Sequence, residues 1–490
     1  MVYGKAMFNF KKDTPVVYGG GVMKEKAEII LATFLNFNVP IEIVDVIEGY
    51  RNYHFYIQPK QLMRMKLFEA FVDDLKYALG NDAVEVLAPV PNQKMVGIIV
   101  PKKEELPTVS LTQFITTEEF TTSGPLVVPV GIDEFGNQHL LDLATMPHCL
   151  IGGATGSGKS VLIHSIINSL IEKNSPDNLR LILVNPKSQE FAVYKGLPHL
   201  LTAPISSSKT VVQALSWVTK EMERRYDILE SESAPDVVVY HNQVYLPAIQ
   251  AWEKQGSKAY VRGKLPEALP YIVVIVDELA ELMSAYPTEL ESVIASITQK
   301  SREVGIHLLI STSRPSSEVV SGKIKANLPA RFVFKTNLNV DSHAILDVNG
   351  AEKLRGKGDM LLQTGCESQP TRIQACYVSE AEIKARVSAC INQTEANATD
   401  TLDFTERARR DYDDDAVFDS MFSGNGSEDE LYEDAKAAVI KTGKASTSYI
   451  QRKLRVGYSR AARLMDLLEE NGVIGAQDGS KDREVLVEKT

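Results

Sequence analysis

The run Gly153-Ala154-Thr155-Gly156-Ser157-Gly158-Lys159-Ser160 has the spacing GxxxxGK[ST]. That pattern does phosphate chemistry. Glycines let successive backbone N–H groups converge on phosphate oxygens where a Cβ would intrude. The helix that follows aims its positive end at the same anion. Lys159 is spaced to reach the β/γ-phosphates and the Ser160 hydroxyl to ligate Mg²⁺, so ATP and Mg²⁺ are the expected cofactors. A second candidate is the apolar run Ile272-Val273-Val274-Ile275-Val276, which ends in Asp277-Glu278. Asp277 is placed to hold Mg²⁺ through water. Glu278, one residue on, points elsewhere and can orient or deprotonate an attacking water. A third is Arg302, read as lying on a helix before the strand 308–310. Such an arginine can act in trans on a neighbouring subunit's nucleotide, or simply form a surface ion pair.

These residues need a scaffold. Cys149-Leu150-Ile151 precedes the glycine-rich run and a helical pattern at 161–171 follows it, predicting strand, loop and helix. The runs at 181–184, 272–276 and 308–310 are continuously apolar, as in parallel strands buried on both faces. Long helical stretches lie between them. The expectation is an α/β fold with a doubly wound parallel sheet over residues 107–390. Before it, residues 1–106 carry helical patterns at 23–37 and 60–79 and strand-like runs at 42–46, 53–58, 83–87 and 95–100. A small α/β domain is predicted there, with no chemical motif of its own.

The chain has 490 residues, enough for about three domains. Four cysteines (Cys149, Cys366, Cys376 and Cys390) have no CxxC spacing, which excludes a disulfide scaffold and argues for a reduced, cytoplasmic setting. No apolar stretch is long enough to span a bilayer, and no signal peptide opens the chain. The net charge of −11 argues against nucleic-acid binding when taken as a sum, but its distribution is uneven. Asp411, Asp413, Asp414 and Asp415 lie in a polar, acidic stretch, 391–428, read as a flexible linker. Residues 441–463 carry seven basic residues without an acid.

The segment 429–490 predicts a helix at 429–442, a second at 448–454, a turn at Gly457, and a third at 459–471 ended by Gly472, then a short hairpin. Helix, turn, helix and wing describe a winged-helix domain. The alternative on pattern alone is a small protein-interaction module. In the first reading Ser459, Arg460 and Arg463 reach base edges, and Lys444, Arg452, Lys453 and Arg455 contact phosphates.

Taken together, several strings resemble one family. They include Met146-Pro147-His148, Asn185-Pro186-Lys187, Met222-Glu223-Arg224-Arg225-Tyr226, Val276-Asp277-Glu278, Gly305-Ile306-His307-Leu308, Ser313-Arg314-Pro315, Ile324-Lys325-Ala326-Asn327 and Gly358-Asp359-Met360-Leu361. They resemble the FtsK/SpoIIIE DNA translocases over about residues 55–390 and again over 429–490. The resemblance implies a RecA-like motor that forms a hexameric ring around double-stranded DNA and hydrolyses ATP between subunits. It implies that residues 1–106 are the motor's α subdomain. It places Arg302 at the arginine finger, and Arg314 and Lys325 in the pore-loop region as candidates for DNA phosphates. It makes 429–490 a γ domain that reads oriented sequences and can contact a site-specific tyrosine recombinase. The setting implied is chromosome partition at cell division, or DNA transfer.

The chain departs from the family pattern at Asn185 (usually Asp), Ser313 (usually Gln, a γ-phosphate sensor), His343 and Asn339 (usually basic), and Ser459 (often Asn). The family's membrane-spanning N-terminal region is not in this sequence, so either a motor fragment or a relative carried by a mobile element or phage is expected. Two other readings stand beside the translocase. One is a sequence-specific DNA-binding protein using ATP as an assembly switch. The other is a conjugation or phage pump built on the same motor.

Overall fold

The structure, a computed structural model, describes residues 21–90, 94–102, 108–187, 190–254, 265–365 and 369–393, with Leu402, Phe404 and parts of 432–486. The chain divides into two compact units, Met1–Phe404 and Thr405–Thr490.

The first unit holds two sheets. The smaller has β1 (Ile41–Glu48), β2 (Asn52–Pro59), β3 (Glu85–Leu87) and β4 (Val96–Pro101) in the order β1-β2-β4-β3, all antiparallel. The helix Gly21–Asn36 turns Met23, Ala27, Ile30 and Phe34 toward it, the i, i+4, i+7, i+11 spacing of one helical face. Residues 60–79 do not form the single helix predicted. Residues 60–65 are non-helical, and the rest splits into Lys66–Ala70 and Val72–Leu79 at Phe71 (φ −81°, ψ 1°). The break brings the Phe68 and Phe71 rings to 5.7 and 5.0 Å from Phe34, so core packing overrides helical propensity there.

The larger sheet comprises β5 (Val127–Asp133), β6 (Gln138–Asp142), β7 (His148–Gly152), β8 (Leu179–Val184), β9 (Tyr271–Val276), β10 (Ile306–Thr312), β11 (Ala330–Phe334), β12 (Asp359–Gln363) and β13 (Thr371–Ala375). Its order is β6-β5-β13-β12-β11-β7-β10-β9-β8. The run from β11 to β8 is parallel. The run from β11 to β6 is antiparallel, so the predicted parallel sheet is one half of a mixed sheet. The parallel strands are buried on both faces, as their apolar runs require. On one face lies Lys159–Lys173, through Leu162, Ile163, Ile166, Ile167 and Leu170. The long helix Ser208–Ser231 packs against Pro287–Lys300.

The two sheets meet at an ion cluster. Arg51 follows β1 and its Nη1 lies 3.0 Å from the fully buried Asp359 at the start of β12, which Arg372 also holds at 2.9 Å. The helix Glu380–Gln393 continues past residue 390, where the linker was expected to begin. Leu402 N–H donates to the Leu201 carbonyl at 2.6 Å, and Phe404 is buried against Trp217. Most of the expected linker lies outside the described residues.

In the second unit the helix Tyr432–Thr442 contributes Ala435 and Val439 to a core with Ile450, Leu464, Leu468, Val473 and Ile474. Gly472 ends a helical stretch with φ +68°, and the Val473 N–H bonds back to the Leu468 carbonyl at 2.8 Å. An antiparallel bridge joins Ile474 to Val485 within the segment where the hairpin was predicted, and another joins Arg483 to Ala445, which follows the helix Tyr432–Thr442.

Candidate nucleotide site

Strand β7 ends at Gly152 and the chain enters the glycine-rich loop. Gly153, Gly156 and Gly158 have φ of +144°, +75° and +126°. A Cβ at Gly153 would meet Phe334 Cβ at 2.8 Å, and one at Gly158 would meet Gly358 N at 2.9 Å. Neither position has room for a side chain. The loop is pinned to neighbouring strands: Ala154 N–H donates to the Lys335 carbonyl (2.7 Å), and Gly358 N–H to the Ser157 carbonyl (3.0 Å). Lys159 Nζ donates to the carbonyls of Gly153 (2.8 Å) and Ala154 (3.0 Å). Its burial lowers its pKa, against the pull of Glu278 and Asp277.

Strand β9 lies one strand away, with β10 between. It delivers Asp277 and Glu278 to the same edge of the sheet. Asp277 is buried and accepts from Asn185 Nδ2 at 3.1 Å. Burial, followed by the nearby Glu190, pushes its pKa up to about 6. Glu278 sits in the left-handed region (φ +69°, ψ +68°). Its carboxylate accepts from Ser313 Oγ (2.5 Å), Ser313 N–H (3.0 Å) and Thr312 Oγ1 (3.3 Å), and Lys187 Nζ lies 3.5 Å away. Burial raises the Glu278 pKa, but the two Ser313 hydrogen bonds and the lysines outweigh it and bring it below the usual value. Two carboxylates one residue apart are thus driven in opposite directions by their surroundings.

A cavity of about 370 Å³ opens here, lined by Ala154, Thr155, Lys187, Glu278, Ser313 and Arg314, among others. The residues fit a nucleoside triphosphate: a glycine cradle without room for Cβ atoms, a lysine and a helix start for anionic oxygens. They also fit Mg²⁺, since the Ser160 hydroxyl and the Asp277 carboxylate are hard oxygen donors. Among the described residues no group of three His, Cys, Asp or Glu side chains could hold a metal ion alone. A cation would therefore complete its shell with phosphate and water.

The other predicted residues are placed as follows. Arg302 is not on a helix. The helix ends at Lys300, and Arg302 occupies an exposed turn before β10 because Gly305 (φ +72°) and the Ser301 Oγ bond to the Ile306 carbonyl close a turn there. The turn lies at the foot of β10 and Ser313 follows its head, about 20 Å away at 3.3 Å per residue. Arg314 lines the cavity itself. Lys325 is held by Asp347 at 2.6 Å, at the surface. Lys453 is exposed on a helical residue, whereas Arg452, Arg455, Ser459, Arg460 and Arg463 lie outside the described residues. Sequence reasoning missed Lys187 and Thr312 as Glu278 partners. Lys187 was visible as part of Asn185-Pro186-Lys187 after β8, but only the pairing of β8 with β9 brings it to the acid.

A glycine cradle after a central strand, an acid pair after the next strand but one, and helices on both sides of the sheet define a P-loop ATPase of the RecA-like motor class. The FtsK/SpoIIIE family profile matches residues 110–317, the FtsK alpha domain residues 16–102 and the Ftsk gamma domain residues 426–488. The DNA translocase FtsK of Clostridium acetobutylicum is 38% identical over 464 residues, covering 94% of this chain and 57% of that protein. The DNA translocase SftA of Bacillus subtilis is 39% identical over 466 residues, covering 95% and 46%. Among solved structures, the pCW3 conjugation coupling protein TcpA, in its monomer form with ATPγS, superposes with a TM-score of 0.51 at 21% identity, covering 74% of this chain and 99% of that one. That likeness concerns the fold. The chain belongs to the FtsK/SpoIIIE family. It spans about half the length of the curated relatives it matches.

Proposed function

We propose that the chain is an ATP-driven translocase of double-stranded DNA, working as a ring, most simply a hexamer, in the cytoplasm. The observation that carries this reading is that the loop holding Lys159 and the acid pair Asp277-Glu278 follow parallel strands at one edge of the sheet, beside a cavity lined by Ala154, Thr155 and Glu278, with Arg302 at the opposite end of β10. Arg302 is too far along the strand to serve its own cavity, so a finger role requires a neighbouring subunit. In this reading residues 1–106, 107–390 and 429–490 are the α subdomain, the motor and the DNA-reading domain, joined by a linker at 391–428.

ATP is the substrate. Thr155, Gly156 and Gly158 offer backbone N–H groups to its phosphates, Lys159 leaves the carbonyls of Gly153 and Ala154 to meet them, and Ser160 and Asp277 would hold Mg²⁺. The metal would neutralise charge between β- and γ-phosphates. Glu278 orients the attacking water and takes its proton. Arg302 of one subunit places its charge on the next subunit's γ-phosphate, a contribution of about 10³–10⁵ in rate for such fingers.

DNA phosphates are met by Arg314 and by Lys325. Lys325 would have to leave Asp347 to do so, since its side chain is 16% exposed in the pair and that of Asp347 63%. In the small domain Arg452, Lys453 and Arg455 meet phosphates, and Ser459, Arg460 and Arg463 read base edges. A site-specific tyrosine recombinase is a candidate partner of the same domain. Among the described residues no helix is long and apolar enough to cross a membrane.

The test is steady-state ATP hydrolysis with and without long duplex DNA, for the native chain and for Lys159→Ala. Strong stimulation by DNA, growing with duplex length and lost in the variant, supports the motor. Hydrolysis indifferent to DNA overturns it and leaves a nucleotide-gated DNA-binding protein.

A further inference from the structure

The string Met222-Glu223-Arg224-Arg225-Tyr226 lies near the end of the helix Ser208–Ser231, away from the cavity, and the mechanism above does not use it. Its side chains converge on the turn that carries Arg302. The Tyr226 hydroxyl lies 2.5 Å from the Lys300 carbonyl and 2.7 Å from Glu303 Oε2, one residue to either side of Ser301-Arg302. Arg225 Nη1 donates to the Val304 carbonyl at 2.9 Å, while its Nε donates to Glu221 at 2.8 Å. Arg225 is 2% exposed. Arg224 braces the same Glu221 from outside and pairs with Glu267 at 2.8 Å. The turn is also closed from within. Gly305 N–H donates to the Arg302 carbonyl (3.1 Å), Ile306 N–H to the Ser301 carbonyl (3.0 Å), and the Glu303 carbonyl accepts from Val237 N–H (2.7 Å). Among the described residues the Arg302 side chain has no hydrogen bond or ion pair. Its backbone is fastened on both sides and its guanidinium projects free.

A buried Arg–Glu pair is a poor device for stability, because desolvating two ions offsets most of their attraction. It is a good device for holding geometry. A guanidinium spends its donors in fixed directions, and here one arm is spent on the backbone of the turn. Rigid placement matters most for a group that must meet a neighbouring subunit's phosphate, since small misplacements there cost large factors in rate.

We propose that Tyr226 and Arg225 are positioning residues that hold the 300–305 turn so that Arg302 reaches the nucleotide of the adjacent subunit. The inference rests on the finger reading of Arg302 given above. It makes a statement that reading does not: the fidelity of one subunit's active site depends on a tyrosine hydroxyl some distance from any nucleotide, in the other subunit.

The experiment is a double-mutant cycle on DNA-stimulated ATP hydrolysis by the full chain. The variants are Tyr226→Phe, Arg302→Ala and both together, with labelled phosphate release followed at high enzyme concentration so that residual rates are measurable. Tyr226→Phe removes only the hydroxyl and keeps the ring. The expected result is a kcat lowered about tenfold with KM for ATP within twofold, because the variant's own cradle is untouched. Arg302→Ala is expected to lose about 10³-fold. The double variant is expected to be no slower than Arg302→Ala alone, because Tyr226 then has nothing to position. A Tyr226→Phe enzyme with native kcat overturns the inference and leaves the finger reading standing. Losses that multiply in the double variant, or a raised KM, also overturn it, since they place the effect of Tyr226 elsewhere. Native kcat in Arg302→Ala overturns the finger reading itself. Arg225→Ala strands Glu221 as a buried unpaired charge and risks unfolding, so it serves only as a thermal-melt companion.

Discussion

Glu278 is tightly constrained by its setting. A non-glycine residue in the left-handed region costs roughly 1–2 kcal/mol, and strain of this kind persists where surrounding contacts over-determine it. Those contacts are Ser313, Thr312 and Lys187. A base that already accepts several hydrogen bonds is held in direction but lowered in basicity, so Ser313 sets both. Ser313→Ala removes the 2.5 Å hydroxyl contact and leaves the backbone N–H. Its kcat for ATP is expected to fall about tenfold, a fraction of the roughly 10²–10⁴ that a whole general base supplies because the backbone N–H still holds Glu278, with KM changed less than twofold, as measured by steady-state hydrolysis. Asn185 acts differently. As a neutral amide donating to Asp277, it adds no charge beside an acid already raised by burial and by Glu190.

The phosphate loop owes its shape to elements distant in sequence. Lys335 at the end of β11 and Gly358 before β12 hold it from the side. This explains why its glycines are not equivalent. Gly158→Ala sets a Cβ at 2.9 Å from backbone at Gly358, on a φ of +126°, and neither atom can give way. That variant is expected to lose binding of a fluorescent ATP analogue and to melt earlier. Gly156→Ala has open space around the added Cβ and only its φ of +75° to bear. It is expected to cost about 1–2 kcal/mol and to retain measurable binding. The same two measurements on both variants separate crowding from backbone strain.

In the first unit, charge buried at the junction and buried histidines add to the apolar core two contributions that substitution and pH can test. Asp359 is fully buried between Arg51 (3.0 Å) and Arg372 (2.9 Å), and it also accepts from Arg355 N–H at 2.9 Å. Asp359→Asn takes the shared counter-ion from Arg51 and leaves Arg372 only the longer contact to Glu134 at 3.7 Å. The expected loss is about 3–5 kcal/mol, read from denaturant unfolding. Because Gly358 N–H bonds Ser157, the same change is expected to weaken ATP-analogue binding. A separate signature comes from pH. Burial lowers the pKa of His54 and His148 from 6.5 to about 4 and that of His307 to about 3. Below pH 6.5 the unfolded chain takes up these protons and the folded one does not. Stability is therefore full above about pH 6.5 and falls as pH drops toward 4, by about 1.4 kcal/mol per unit for each group. Thermal melts between pH 7.5 and 4.5 check the slope. His307→Gln and His148→Gln, if folded, are expected to flatten it.

The glycine-rich cradle, the acid pair and the apolar strands were legible in the amino-acid order, because each is written in residues adjacent along the chain. Gly153 to Ser160 carries its chemistry in eight positions, and the continuous β-branched run 272–276 fits a strand buried on both faces. What was not legible depends on contacts between remote residues. The antiparallel half of the sheet is built from short strands such as Gln138–Asp142 and Thr371–Ala375, whose mixed polarity carries no clear period until they pair. The helix at 60–79 breaks because Phe71 must reach Phe34, a contact across 37 positions that propensity cannot register. Arg314 joins the cavity, and Glu278 acquires its partners, because β8, β9 and β10 end side by side. The turn of Arg302 is fastened by a helix some 75 residues earlier. Local order specifies which groups are present and which elements they sit on. Their direction, basicity and partners are set by long-range packing, where burial and hydrogen bonding to distant chain decide the energy.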